Sequence, residues 1–257
     1  METLLVSRRD GVVTVTMNRP AKKNAANDVM WRELLETFRE VAANPDDRVM
    51  VLTGAGGEFC SGADLSSRGD QSQMSPHERM QVITDVCLAL QRLPKPTIAK
   101  VRGVAVGAGC NMALVCDLVV AGEDARFSEI FSKRGLSVDF GGTWVLPRLV
   151  GMHRAKELAF FAEIVSAKDA LEIGLVNRVL SNDELDAFVD DWANRLADGP
   201  PIALAHTKRM LNDSFDVTLQ QALEEEGAAQ VANFGTRDVV EAMAAFLEKR
   251  EPRFTGR

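Results

Sequence analysis

Two apolar runs each end in a cluster of small residues and then lead into a helix, and this arrangement constrains the chain more than any other feature. Val49 to Thr53 is followed by Gly54-Ala55-Gly56-Gly57 and then by Phe59-Cys60-Ser61-Gly62-Ala63-Asp64-Leu65. Thr97 to Val101 is followed by Gly103-Val104-Ala105-Val106-Gly107-Ala108-Gly109, with a helix expected over Cys110 to Cys116. Runs this apolar predict strands buried on both faces, the mark of an α/β sheet covered by helices. Small-residue turns let the backbone approach a ligand closely and leave helix-initial N–H groups unpaired. Such donors suit a phosphate or an enolate oxygen. Tight packing between strand and helix explains either turn equally well on its own.

The rest of the chain reads as alternating elements. Leu4 to Met17 alternates about Asp10-Gly11, a hairpin signature. Asn27 starts a helix with Met30, Leu34, Phe38, Val41 and Ala42 on one face. Ser66 to Met74 is polar and reads as a surface loop, before a capping box at Ser75-Pro76-His77-Glu78. Its helix is expected to turn Met80, Ile83, Cys87 and Leu90 inward, and Pro94 and Pro96 stop it. A strand at Leu118 to Ala121 precedes an irregular stretch over 121–145. Helices follow at His153–Ala162, Lys168–Ile173 and Asn182–Leu196, the last with a second box at Ser181 and Glu184. Gly199-Pro200-Pro201 punctuates the chain. Residues 1–197 therefore read as an α/β core and 198–257 as a helical appendage.

Charge and cysteine usage narrow the function classes. The 37 acidic against 30 basic residues leave −7, and no basic block occurs, which speaks against a nucleic-acid partner. The longest uncharged stretch, Gly103 to Cys116, falls short of the roughly 20 apolar residues a bilayer span needs, so no membrane partner is expected. Met1 to Gly11 lacks the apolar run of an export signal, and the expectation is a cytoplasmic protein. Cys60, Cys87, Cys110 and Cys116 show no CxxC spacing and read as buried thiols. His77, His153 and His206 have no partner acid or nucleophile at motif spacing.

Four motifs in order carry a resemblance. They are Asn18-Arg19-Pro20 with Asn24-Ala25, Gly54-x-Gly-x-x-Phe59-Cys60-Ser61-Gly62-Ala63-Asp64-Leu65, Gly103-x-Ala105-x-Gly107-Ala108-Gly109 with Cys116-Asp117, and Gly141-Gly142-Thr143-Trp144 with Leu146-Pro147-Arg148-Leu149-Val150-Gly151. Together they make the chain similar to the enoyl-CoA hydratase/isomerase (crotonase) family over nearly its whole length. The resemblance implies a curved stack of ββα turns, then a C-terminal helical segment that builds trimers, commonly paired into hexamers. It implies an acyl-CoA thioester whose carbonyl oxygen sits between the N–H groups of Ala63 and Ala108. It places CoA against Lys22, Lys23 and the Ala63–Leu65 segment, and substrate against Gly107. Within that segment Asp64 reads first as a turn and cap residue, and Asp117 likewise as a structural acceptor. Phe246 and Lys249 match positions that flank the adenine and 3′-phosphate, although Lys249 reads equally as a solvated helix end. No metal or redox cofactor is implied, since coenzyme A is part of the substrate.

The acids bear on which reaction. Hydratases of the family activate water with two glutamates, and the matching positions here hold Asn111 and Phe131. Asn111 can orient a group but cannot take a proton, and Phe131 can only shape the acyl pocket. Glu129 lies two residues out of register and reads first as a surface or structural carboxylate, second as a catalytic acid. Asp139 matches an aspartate found in enoyl-CoA isomerases, dienoyl-CoA isomerases and a chlorobenzoyl-CoA dehalogenase. Among Leu136, Val138, Phe140 and Trp144 its pKa is expected to rise, which suits a group that accepts and returns a proton. Phe131, Phe140 and Trp144 suggest an apolar pocket, with the 66–80 segment as its far wall. The expectation is a double-bond isomerase with Asp139 as proton shuttle. Alternatives are a hydratase using another base, a non-catalytic CoA-binding protein, and a purely structural Asp139 that caps the next helix.

Overall fold

The hairpin forms where the alternation places it, with β1 (Leu4–Arg9) and β2 (Val12–Met17) antiparallel across Asp10-Gly11. Asn27 caps α1 (Asp28–Ala43), its side chain accepting from the Met30 N–H. Then come β3 (Val49–Gly54), α2 (Pro76–Gln91), β4 (Thr97–Val101), β5 (Val104–Val106), α3 (Ala108–Val115), β6 (Leu118–Gly122) and β7 (Arg126–Ser128). The chain continues through α4 (Gly142–Phe161), β8 (Val165–Ser166), α5 (Ala167–Glu172), β9 (Arg178–Leu180) and α6 (Asn182–Ala197). It ends in α7 (Pro201–Asp213), α8 (Leu219–Phe234) and α9 (Arg237–Glu248). This computed structural model describes residues 1–65 and 74–257, so the loop expected at 66–74 lies, but for Met74, outside the described residues.

One sheet runs β1-β2-β3-β4-β6-β9, parallel from β2 onward, and a second runs β5-β7-β8. The apolar runs are explained by burial on both faces of the first sheet. Val49, Val51, Ile98 and Val120 pack against Leu185, Val189 and Ala193 of α6. The alternate residues Met50, Leu52, Ala99 and Ala121 face the larger core, with Trp31 and Phe38 of α1 and Leu90 of α2. A strand covered on both sides has no solvent face to mark with polar residues.

Several elements differ from the sequence expectation. The stretch expected to be irregular contains β7, a 3₁₀ turn at Ser132–Arg134 and the start of α4. The helix expected from His153 is preceded by a helical stretch from Gly142 that contains Pro147, and the two are separated at Gly151, whose φ of +74° is not helical. Met80 is 44% exposed rather than inward. At α2 the capping box is complete, whereas at α6 the Ser181 hydroxyl donates to Glu184 Oε2 (2.6 Å) and caps no helix N–H.

The C-terminal helices bury little within one chain: none of α7, only Ala229 of α8, and Asp238 and Ala245 of α9. Polar bonds tie α7 to the core. Lys208 Nζ meets Asp117 Oδ2 at 2.7 Å and the Lys95 carbonyl at 3.0 Å, and Asn212 donates to the Gln91 carbonyl. Asp117 also accepts from the N–H and hydroxyl of Thr97, so it joins two strands and a helix. No helix among the described residues is long and apolar enough to cross a membrane.

Candidate active site

Hydrogen bonding draws the two small-residue segments together. Cys60 and Ala105 form a parallel bridge, with Cys60 N–H donating to the Val104 carbonyl and Val106 N–H to the Cys60 carbonyl, each at 2.9 Å. The Glu58 carboxylate accepts from the Val104 N–H at 2.7 Å. Asn24, fully buried, donates its amide to the carbonyls of Ala55 (2.9 Å) and Glu58 (2.6 Å), fixing the first turn from outside. The Lys23 carbonyl accepts from the Ser61 N–H, which sets the exposed Lys22 and Lys23 beside the first turn, with Lys23 Nζ 2.8 Å from Glu58 Oε1. Asp64 is buried, donates its N–H to the Ala26 carbonyl and accepts from Arg19 Nη1 at 2.9 Å.

Two glycines make the close approach possible. Gly107 enters α3 at φ +57°, a conformation side chains disfavour. A Cβ on Gly109 would lie 2.8 Å from Cys60 Sγ, so α3 rests directly on the Cys60 segment. A Cβ on Gly62 would lie 3.8 Å from the Ala108 nitrogen, which puts the two turns side by side. Neither the Ala63 nor the Ala108 N–H donates to an acceptor among the described residues. No side chain caps α3, so its positive end also points into this space.

Both alanines open onto a cavity of about 220 Å³, lined also by Leu65, Gly107, Ile130, Phe131, Arg134, Leu136 and Asp139. Asp139 Oδ1 is buried, and the Asp139 carbonyl accepts from the Gly142 N–H at 3.1 Å where α4 begins after its N-cap Gly141. Cys87 of α2 stands behind this loop: a Cβ on Gly141 would lie 3.0 Å from its Sγ. Burial, with the Asp139 charge adding to it, pushes the Cys87 thiol up to about 11. Cys60 also rises to about 11 on burial. Phe131 and Leu136 form a wall shared with a second, largely apolar cavity of about 400 Å³.

Other residues singled out from sequence lie elsewhere. Asn111 is fully buried behind the wall and bonds Glu129 and the Asp139 carbonyl rather than lining the cavity. Glu129 is not at the surface; it is 3% exposed, and burial, assisted by the Asp139 charge, raises it to about 7. Phe140 turns away to Trp31, ring centroids 5.8 Å apart. Trp144 is 36% exposed and lies under the Arg148 guanidinium at 3.9 Å, outside the cavity. Phe246 is 80% exposed near the end of α9, and Lys249 is the left-handed residue that ends that helix. One chain brings neither to the cavity. Sequence reasoning missed Ile130 and Arg134, which flank Phe131 in the stretch read as irregular. It also missed Glu58, whose partner lies 46 residues away and leaves no local pattern.

Unused main-chain donors set across a small cavity from a carboxyl are what an enzyme needs to stabilise an oxyanion while a proton moves. The enoyl-CoA hydratase/isomerase profile matches residues 7–257, and the chain belongs to that family of enzymes. It is 39% identical to the 1,2-epoxyphenylacetyl-CoA isomerase of Escherichia coli K12, over the full length of both chains. It is 35% identical to the short-chain-enoyl-CoA hydratase of Clostridium acetobutylicum, covering 98% of this chain and 97% of that one. The crystal structure of enoyl-CoA hydratase from Bacillus anthracis superposes with a TM-score of 0.95 at 32% identity, covering 99% of this chain and all of that one. The fold is therefore the crotonase fold.

Proposed function

We propose that this protein is an acyl-CoA double-bond isomerase that converts a 3-enoyl-CoA to the 2-enoyl-CoA with Asp139 as proton shuttle. The observation that carries this reading is the Asp139 carboxyl lining the same cavity as the Ala63 and Ala108 donors, while the positions matching the hydratase glutamates hold Asn111 and Phe131. The Asp139 carboxylate takes a proton from C2 of the thioester, and the C–H electrons spread into a dienolate whose oxygen accepts from the two N–H groups. Each such donor is worth about 2.7–4 kcal/mol in a water-excluded site. The protonated Asp139 then returns the proton to C4, and the enolate collapses to the conjugated thioester. Loss of charge and gain of conjugation both occur without a cofactor. The Escherichia coli relative is named an isomerase of an acyl-CoA epoxide, a thioester rearrangement without addition of water but not the same reaction.

Lys22 and Lys23, beside the first turn, suit the CoA phosphates, with Phe246 and Lys249 at its adenine end. The apolar cavity beyond Phe131 suits the acyl tail. Residues 1–197 form the acyl-CoA-binding core. Residues 198–257 form an oligomerisation segment whose exposed Leu219, Leu223, Phe234, Met243 and Phe246 need cover from further copies of the chain, as a trimer or hexamer. The four free thiols suit a reducing cytoplasm.

The test is turnover of two thioesters. The isomerase converts 3-enoyl-CoA to the conjugated isomer, seen by the rise in ultraviolet absorbance. A hydratase, the reading the Clostridium relative favours, instead consumes 2-enoyl-CoA by adding water.

A further inference from the structure

A second carboxyl is buried behind the cavity wall, and the proposed reaction does not use it. Glu129 follows β7 directly, and its Oε2 accepts from the Asn111 amide nitrogen at 3.2 Å. The same nitrogen donates to the Asp139 carbonyl at 2.9 Å, so one side chain joins both carboxyl-bearing segments. Gly142 leaves the amide no slack, since a Cβ there would lie 2.7 Å from Asn111 Cγ. Glu129 Oε1 and Asn111 Oδ1 are buried without a hydrogen-bond partner among the described residues. The described groups that face Glu129 are Cys110 and Asn111 from α3 and Asp139 from the loop before α4, and no ion pair reaches it. Cys87 of α2 faces Asp139 as a neutral thiol.

We propose that Glu129 is a positioning residue that holds the Asp139 segment through Asn111 and, by its own charge, sets how strongly Asp139 draws a proton. This rests on the reading of Asp139 as the shuttle. A group buried this way loses its proton near 7 instead of near 4.5. When it does, a second negative charge stands near Asp139, and like charges raise each other's proton affinity. A stronger base abstracts faster from a weak carbon acid. The charged carboxylate also binds the Asn111 amide more tightly than the neutral acid does. Both effects act in the same direction, so proton abstraction speeds up as pH rises through about 7.

The experiment follows α-deuterium uptake by a 3-enoyl-CoA from heavy water between pH 5.5 and 8.5, using the full-length protein. The native rate is expected to rise several-fold through one inflection near 7. Glu129→Gln keeps the shape but never ionises, so its rate stays flat at the native low-pH level, with KM close to native. Asn111→Ala cuts the link and lowers kcat by about 10²-fold with little change in KM, as small misplacements of a catalytic group do. A flat native profile overturns the proposal, and so does an inflection that persists in Glu129→Gln. Native-rate exchange in Asp139→Asn overturns instead the shuttle reading beneath it.

Discussion

Gly109 rests on Cys60 so closely that one added carbon would come within 2.8 Å of the sulfur. The contact sets the spacing between the segment that carries the Ala63 N–H and the helix that begins at Ala108. Gly109→Ala must push the two apart. Overpacking of this kind destabilises by about 1–3 kcal/mol. A donor displaced by an ångström slows turnover by about 10²-fold. Denaturant unfolding and steady-state kinetics on the same variant measure both, and a loss of stability with native turnover would separate the packing from the site.

Ala108 occupies the first position of α3, where a missing N–H does not harm the helix and proline is well tolerated. Ala108→Pro therefore removes one donor while leaving the helix formed. Turnover should fall by about 10²–10³-fold, the typical effect of losing an oxyanion donor. Ala108→Ser keeps the N–H and should retain most of the activity. Equal losses in the two variants would point to the side chain instead of the main chain.

Burial of Glu129 has a pH signature in stability. Its folded pKa of about 7 lies above the ordinary 4.5, so the folded protein holds the proton more tightly than the unfolded chain. Below 4.5 the group is neutral in both states and contributes nothing. Between 4.5 and 7 only the unfolded chain ionises, so stability falls as pH rises, and above 7 the loss is complete. At about 1.4 kcal/mol per pH unit this amounts to roughly 3 kcal/mol. Glu129→Gln should thus gain stability relative to the native protein by up to that amount between pH 4.5 and 8, as measured by unfolding at each pH.

The legible parts of the sequence were those with local physical causes. Asp10-Gly11, the Asn27 cap and the Ser75 box each act within a few residues, so their patterns could be read directly. The runs at 49–53 and 97–101 were legible because burial on both faces removes polar residues altogether. Near the site the picture is mixed. Ala63, Ala108 and Asp139 line one cavity, but only the resemblance to a family, not spacing, suggested that they would meet. Trp144 and Phe140 looked like pocket residues because they flank Asp139 in sequence. The left-handed turn at Phe140 and Gly141 sends their side chains to Trp31 and Arg148 instead. Glu129, two residues out of the family register, read as a surface or structural carboxylate; it is buried, and its Oε2 accepts from Asn111, 18 residues earlier, a partner no local pattern announces.

The central claim is that the Asp139 carboxyl moves the proton while main-chain amides hold the oxygen. Deuterium uptake at the α-carbon of a 3-enoyl-CoA in heavy water, compared between native protein and Asp139→Asn, tests it most directly. The account predicts that exchange disappears in the variant while the thioester binds with nearly native affinity. Exchange at the native rate in Asp139→Asn would contradict it.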